Sequence, residues 1–120
     1  VQLLQDLRLC HSVVLADATN ALEVYDKVLA VNGEQVDVTI NVVNVQNTEM
    51  SCILVTKDTG IVYFFSMATS FTKAALGAEG VGSDVTMIIG NGYTKGHAEL
   101  TLNLVNNAPK IKALFEQKYT

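Results

Sequence analysis

Four hydroxyls and one ammonium fall close together in this chain, on Ser66, Thr69, Ser70, Thr72 and Lys73. A helix starting near Ser70 leaves its first amides without intrahelical acceptors, so they point at the same corner. Hydroxyls, free amides and a lysine together suit a phosphate monoester, because each donates to anionic oxygen. The bland alternative is a plain helix cap beside a solvated lysine, since capping hydroxyls are routine. Ser66, Thr69, Ser70 and Lys73 are the candidate binding residues, and no residue cluster demands a particular catalytic chemistry.

Other candidates carry less. Gly90, Gly92 and Gly96 give G-x-G-x-x-x-G, which misses the dinucleotide fingerprint by one residue and is expected to join strand to strand. A dinucleotide loop must open a helix, whose N-terminus holds the pyrophosphate. His11 and His97 each lack a second ligand two or four residues away, so no metal site is expected. Cys10 and Cys52 match no zinc or redox spacing, and whether they meet is open. No G-x-S-x-G nucleophile elbow occurs. Glu23 and Asp26 read as solvated charge on a helix.

The elements that would position these residues follow from periodicity. Gln2 to Leu9 reads as a short helix entering a strand at Cys10 to Ala16, with a turn and cap at Asp17 to Asn20. Ala21, Leu22, Tyr25, Val28 and Leu29 recur at helical spacing until Asn32-Gly33 stops them. Val36, Val38 and Ile40 alternate with Asp37, Thr39 and Asn41, predicting a strand with a polar outer face and a bulge at Val42-Val43. Ser51–Thr56 and Ile61–Ser66 flank Lys57-Asp-Thr-Gly60, the pattern of a hairpin. Tyr63, Phe64 and Phe65 read as core, with Phe64 pointing opposite to the other two. Ala68 to Leu76 predicts a short helix broken by Gly77, Gly80 and Gly82. Val85 to Ile89 predicts a central strand buried on both faces, and Ala98 to Leu104 an alternating strand. Asn107 and Pro109 open a last helix with the stripe Ile111, Leu114, Phe115 and Tyr119. The expected class is α+β: a mainly antiparallel curved sheet or split β-barrel of about six strands with two or three helices.

Composition frames this as one domain over residues 1–120, with 49% apolar residues and only 17% charged. So little charge suggests surface covered by a partner or a second subunit, with a soluble monomer as the alternative. A net charge of −4 with a single arginine argues against nucleic acid. No run of 18 apolar residues exists to span a membrane. Without a secretory signal or glycosylation acceptor, a cytoplasmic setting is expected, although the missing leading Met allows for an absent leader or tag.

The order of pieces from Ile61 onward resembles the FMN-binding split barrels, the pyridoxamine-phosphate-oxidase-like family. The matching pieces are Val62-Tyr-Phe-Phe-Ser66, Ser70-Phe-Thr-Lys73, Val85 to Ile89, Gly96-His-Ala-Glu-Leu100 and Lys110-Ile-Lys-Ala-Leu114. The resemblance covers about the last half of the chain. It implies a homodimer with FMN at its interface, the phosphate held by Ser66, Ser70 and Lys73, and flavin redox chemistry or flavin storage. Two further readings stand beside it. One is a non-enzymatic interaction module of profilin-like or Roadblock-like type. The other is a binder of a small apolar ligand between the strands Val36–Val45 and Ala98–Leu104.

Overall fold

Helices α1 (Gln2–Leu7), α2 (Ala21–Asn32), α3 (Glu49–Val55), α4 (Phe71–Gly80), α5 (His97–Asn106) and α6 (Pro109–Tyr119) alternate with strands β1 (Val36–Asn41), β2 (Thr56–Phe64) and β3 (Thr86–Ile89). They come from a computed structural model that describes residues 2–90, 92 and 94–119. Val1, and Asn91 and Tyr93 of the expected 90–96 connection, lie outside the described residues.

Local chemistry fixes the helix ends. The Asn20 side chain accepts from the Glu23 amide at the start of α2, and Gly33, at φ 83°, donates back to the Leu29 carbonyl. Only a residue tolerant of left-handed backbone ends a helix this way without strain. Ser70 caps α4 by accepting from the Lys73 amide.

The sheet has the order β1-β2-β3, and both pairings are parallel. This overturns the expected antiparallel sheet or six-stranded split barrel, and with it the resemblance to the FMN-binding family and the flavoprotein reading built on it. The expected hairpin fails because Glu49–Val55 is helical and runs directly into β2. Periodicity alone cannot separate a short buried helix from a strand in so brief an apolar run. The Lys57–Gly60 link instead forms an irregular start to β2, where the register jumps between Val36↔Thr56 and Val38↔Ile61. Gly60 is required there, since a Cβ would lie 2.7 Å from the Asp37 carbonyl oxygen.

Helices α3 and α4 cover one face of the sheet. Val62 and Phe64 of β2 pack with Ile53 of α3 and Ala74 and Ala78 of α4, with Met87 of β3 against them. On the other face, Val38, Ile40, Ile61 and Ile88 are exposed, and the Phe65 ring stacks on Tyr63 at 6.1 Å. The polarity of β1 is therefore the reverse of that expected: Asn41 is buried against the helices and Ile40 faces outward.

Three further expectations differ. Cys10–Ala16 forms no strand. Val85–Ile89 supplies the edge strand β3, with Ile88 and Ile89 exposed rather than buried on both faces. Ala98–Leu104 is part of α5, where Ala, Glu and Leu favour helix and the alternation of leucines carries no weight. Helices α5 and α6 pack on each other, with Phe115 and Tyr119 of the expected buried stripe exposed. No described helix is long and apolar enough to cross a membrane.

Candidate functional site

Parallel strands deliver their carboxyl ends to one side of a sheet, and ligands of such folds bind there. At the end of β1, the Asn41 carbonyl accepts from the amides of Phe65 (3.0 Å) and Ser66 (3.2 Å), locking the exit of β2 to that of β1. The buried Asn41 side chain donates to Thr48 Oγ1 at 2.8 Å and accepts from the Val43 amide at 3.0 Å. What looked like a strand bulge at Val42-Val43 is therefore a side-chain-held turn leaving the sheet.

The 66–70 loop follows β2. Ser66 Oγ accepts from the Ala68 amide, and the Ser66 carbonyl from the Thr69 amide. Thr69 Oγ1 is buried and has no hydrogen-bond partner among the described residues. An orphaned buried hydroxyl is costly and calls for a missing partner. Ser66 and Thr69 line a concavity of about 250 Å³ with Phe64, Phe65, Met67, Ile89 and Gly90, at the carboxyl ends of β2 and β3.

Lys73 lies elsewhere. Its Nζ donates to Asn47 Oδ1, and it lines a second concavity, about 400 Å³, with Asn47, Glu49, Met50, Leu76 and Gly77. The expected phosphate corner is thus divided: Ser66 and Thr69 face one hollow, Lys73 another, and Ser70 caps the helix between them. Glu49 joins the two sides, its Oε1 accepting from the Ser70 amide at 2.8 Å. Neither Asn41 nor Glu49 stood out in the sequence. Asn41 occupies a polar position of an alternating strand pattern and Glu49 the end of the polar run Gln46–Glu49, and both read equally well as solvent-facing positions.

A third hollow, about 370 Å³, lies between α2, α3 and the edge of β1 and is mainly apolar, with Asn41, Thr48 and Ser51 at its polar part. Ser51 Oγ donates to the Ala18 carbonyl at 2.6 Å, which brings the turn after Leu15 to this end of α3. Beside it, exposed Asp17 accepts from the hydroxyl and amide of Thr19, which hold its carboxyl below the ordinary range. Cys52 lines the same hollow, and burial pushes its thiol up to about 11. Both cysteines are free. Among the described residues no three His, Cys, Asp or Glu side chains converge as metal ligands.

The glycine loop also differs in context, because Gly96 caps α5 and the loop joins a strand to a helix. Its spacing still departs from the dinucleotide fingerprint.

No known family profile matches the chain. It is 56% identical over 117 residues to the L-erythro-3,5-diaminohexanoate dehydrogenase of Acetoanaerobium sticklandii, covering 97% of this chain and 34% of that protein. It is also 56% identical over 108 residues to the protein of the same name from Fusobacterium nucleatum, covering 89% of this chain and 31% of the relative. The chain thus spans about a third of the length of the curated relatives it matches.

Proposed function

We propose that this chain is part of an oxidoreductase that dehydrogenates an amino-bearing carbon of a diamino acid, with L-erythro-3,5-diaminohexanoate as substrate and a nicotinamide dinucleotide as acceptor. The relatives' shared name supports the reaction class. The observation that carries the reading on the structural side is the hollow at the carboxyl ends of two parallel strands, containing the orphaned Thr69 hydroxyl. Open α/β sheets bind nucleotides at that end.

In this reaction the C–H bond next to nitrogen breaks, its hydride leaves with both electrons, and the nitrogen lone pair closes a C=N bond as a proton is released. Water then converts the imine to ketone and ammonia. The dinucleotide, when bound, supplies the hydride acceptor. The residues present fit such a group: Thr69 and Ser66 offer hydroxyls to a polar edge, and Phe65 and Met67 offer apolar wall. The rigid tie from Asn41 to the Phe65 and Ser66 amides fixes where those walls stand.

A chimera tests this. The segment of the Fusobacterium nucleatum relative that matches this chain is replaced by the chain itself, and reduced dinucleotide is followed at 340 nm. Formation dependent on L-erythro-3,5-diaminohexanoate is the expected result. A folded chimera silent with both NAD and NADP at saturating substrate overturns the proposal.

A further inference from the structure

The geometry points to a binding site for an aminocarboxylate in the hollow between α3 and α4, with Glu49 taking the ammonium and Lys73 the carboxylate. Its starting point is an unbalanced charge. Glu49 is only 3% exposed, and among the described residues a single backbone amide, that of Ser70, donates to its carboxylate. Carboxylates this deep are ordinarily matched by a cation or by several donors. Lys73 lines the same hollow, yet its amine is spent on the neutral Asn47 amide oxygen, and no ion pair joins it to Glu49. An acid and a base held in one hollow without neutralising each other match a ligand carrying both charges.

The chemistry discriminates among ligands. A phosphate or simple carboxylate would gain Lys73 but sit against the Glu49 charge. A simple amine would gain Glu49 and meet the Lys73 ammonium. A zwitterion satisfies both, and the apolar Met50 and Leu76 suit the carbon chain between its charges. At about 400 Å³ the hollow falls within the size range of small-molecule sites. It also adjoins the hollow of Ser66 and Thr69, since the Ser70 amide that holds Glu49 directly follows Thr69. The choice of ligand rests on the dehydrogenase reading above; the charge pattern does not.

The test is a titration of the full chain, read from backbone amide NMR shifts. The probes are L-erythro-3,5-diaminohexanoate, hexanoate, hexylamine and inorganic phosphate. The expected result is that the diamino acid shifts the amides of Met50, Lys73 and Gly77, and that hexanoate and hexylamine bind on the order of tenfold more weakly, as the loss of one charge-assisted contact requires. Glu49→Gln keeps an acceptor for the Ser70 amide. It should weaken the diamino acid by on the order of tenfold and leave phosphate unchanged or tighter. Lys73→Met, at an exposed position, should weaken the diamino acid and hexanoate alike, and it carries the test if the Glu49 variant does not fold. Absence of shifts at these amides, phosphate binding tighter than the diamino acid, or unchanged diamino-acid affinity in Lys73→Met overturns the site. The chimera separates the two proposals. If it is active and its KM for the diamino acid is unmoved by Lys73→Met, the site fails and the function stands. If it is inactive while the chain still binds the diamino acid, the site stands and the function fails.

Discussion

Cys52 shows how environment sets the behaviour of a residue whose type alone says little. Its thiol sits between α2, α3 and β1, and burial raises its ionisation from the ordinary 9.0 to about 11, with the Asn41 side chain partly opposing the rise. Only the thiolate is nucleophilic, so Cys52 is inert at neutral pH, whereas Cys10 is exposed. Iodoacetamide at pH 8 should therefore modify the native chain once, at Cys10, with Cys52 labelled only in denaturant; peptide mapping by mass spectrometry reads the result. The same shift has a pH signature. Below 9.0 the thiol is protonated in both states and contributes no pH dependence. Between 9.0 and about 11 the unfolded chain releases the proton and the folded chain keeps it, so stability falls as pH rises. Cys52→Ala should remove that slope. Much at this scale was legible from sequence, including the Asn20 and Ser70 caps and the opposed faces of Phe64 and Phe65, because each depends on near neighbours. The roles of Asn41 and Glu49 were not legible, because both depend on partners brought in from other segments.

At the scale of elements, helices with strong caps were readable and short apolar runs were not. Ser51–Thr56 and Ala98–Leu104 both alternate or run apolar, and both are mainly helical. In the first, packing on α2, α4, β1 and β2 buries successive residues, so no face is left to show a period. Once α3 is a helix, β1 and β2 are joined by a crossover and must run parallel, which is why one misread segment changed the whole sheet. The split-barrel resemblance fails on other ground: its Gly96–Leu100 piece caps and opens helix α5 instead of forming a strand, no family profile matches the chain, and the relatives are named as dehydrogenases. The α4 cap remains a local property with a measurable weight. Ser70→Ala removes the side-chain acceptor for the Lys73 amide but keeps the Ser70 amide that Glu49 accepts from. It should cost about 1 kcal/mol in urea unfolding. A cost near zero would mean that packing of Ala74 and Ala78 alone sets the start of the helix.

The whole molecule is more open than its length requires. A compact chain of this size has a radius of gyration of about 14 Å, whereas this one measures 15.9 Å. Among the described residues the buried apolar core comprises Ile53, Val55, Val62, Phe64, Ala74 and Ala78, a small set for a domain of this size, and large apolar side chains such as Leu100, Leu102 and Leu104 stand exposed on α5. The far face of the sheet adds Val38, Ile40, Ile61 and Ile88. Parallel sheets are ordinarily covered on both faces, so this one presents an apolar surface that a hydrophobic dye should find. Replacing both Ile40 and Ile88 by lysine should therefore reduce ANS emission sharply. The stability cost should be below about 1 kcal/mol per site, because both side chains already meet water. Val62→Ala, on the covered face of the same sheet, should instead cost about 2–3 kcal/mol by opening a cavity against Ile53 and Ala74. Equal costs on the two faces, or ANS emission unchanged by the lysines, would show that the outward-facing isoleucines are buried in solution and that the sheet is covered there.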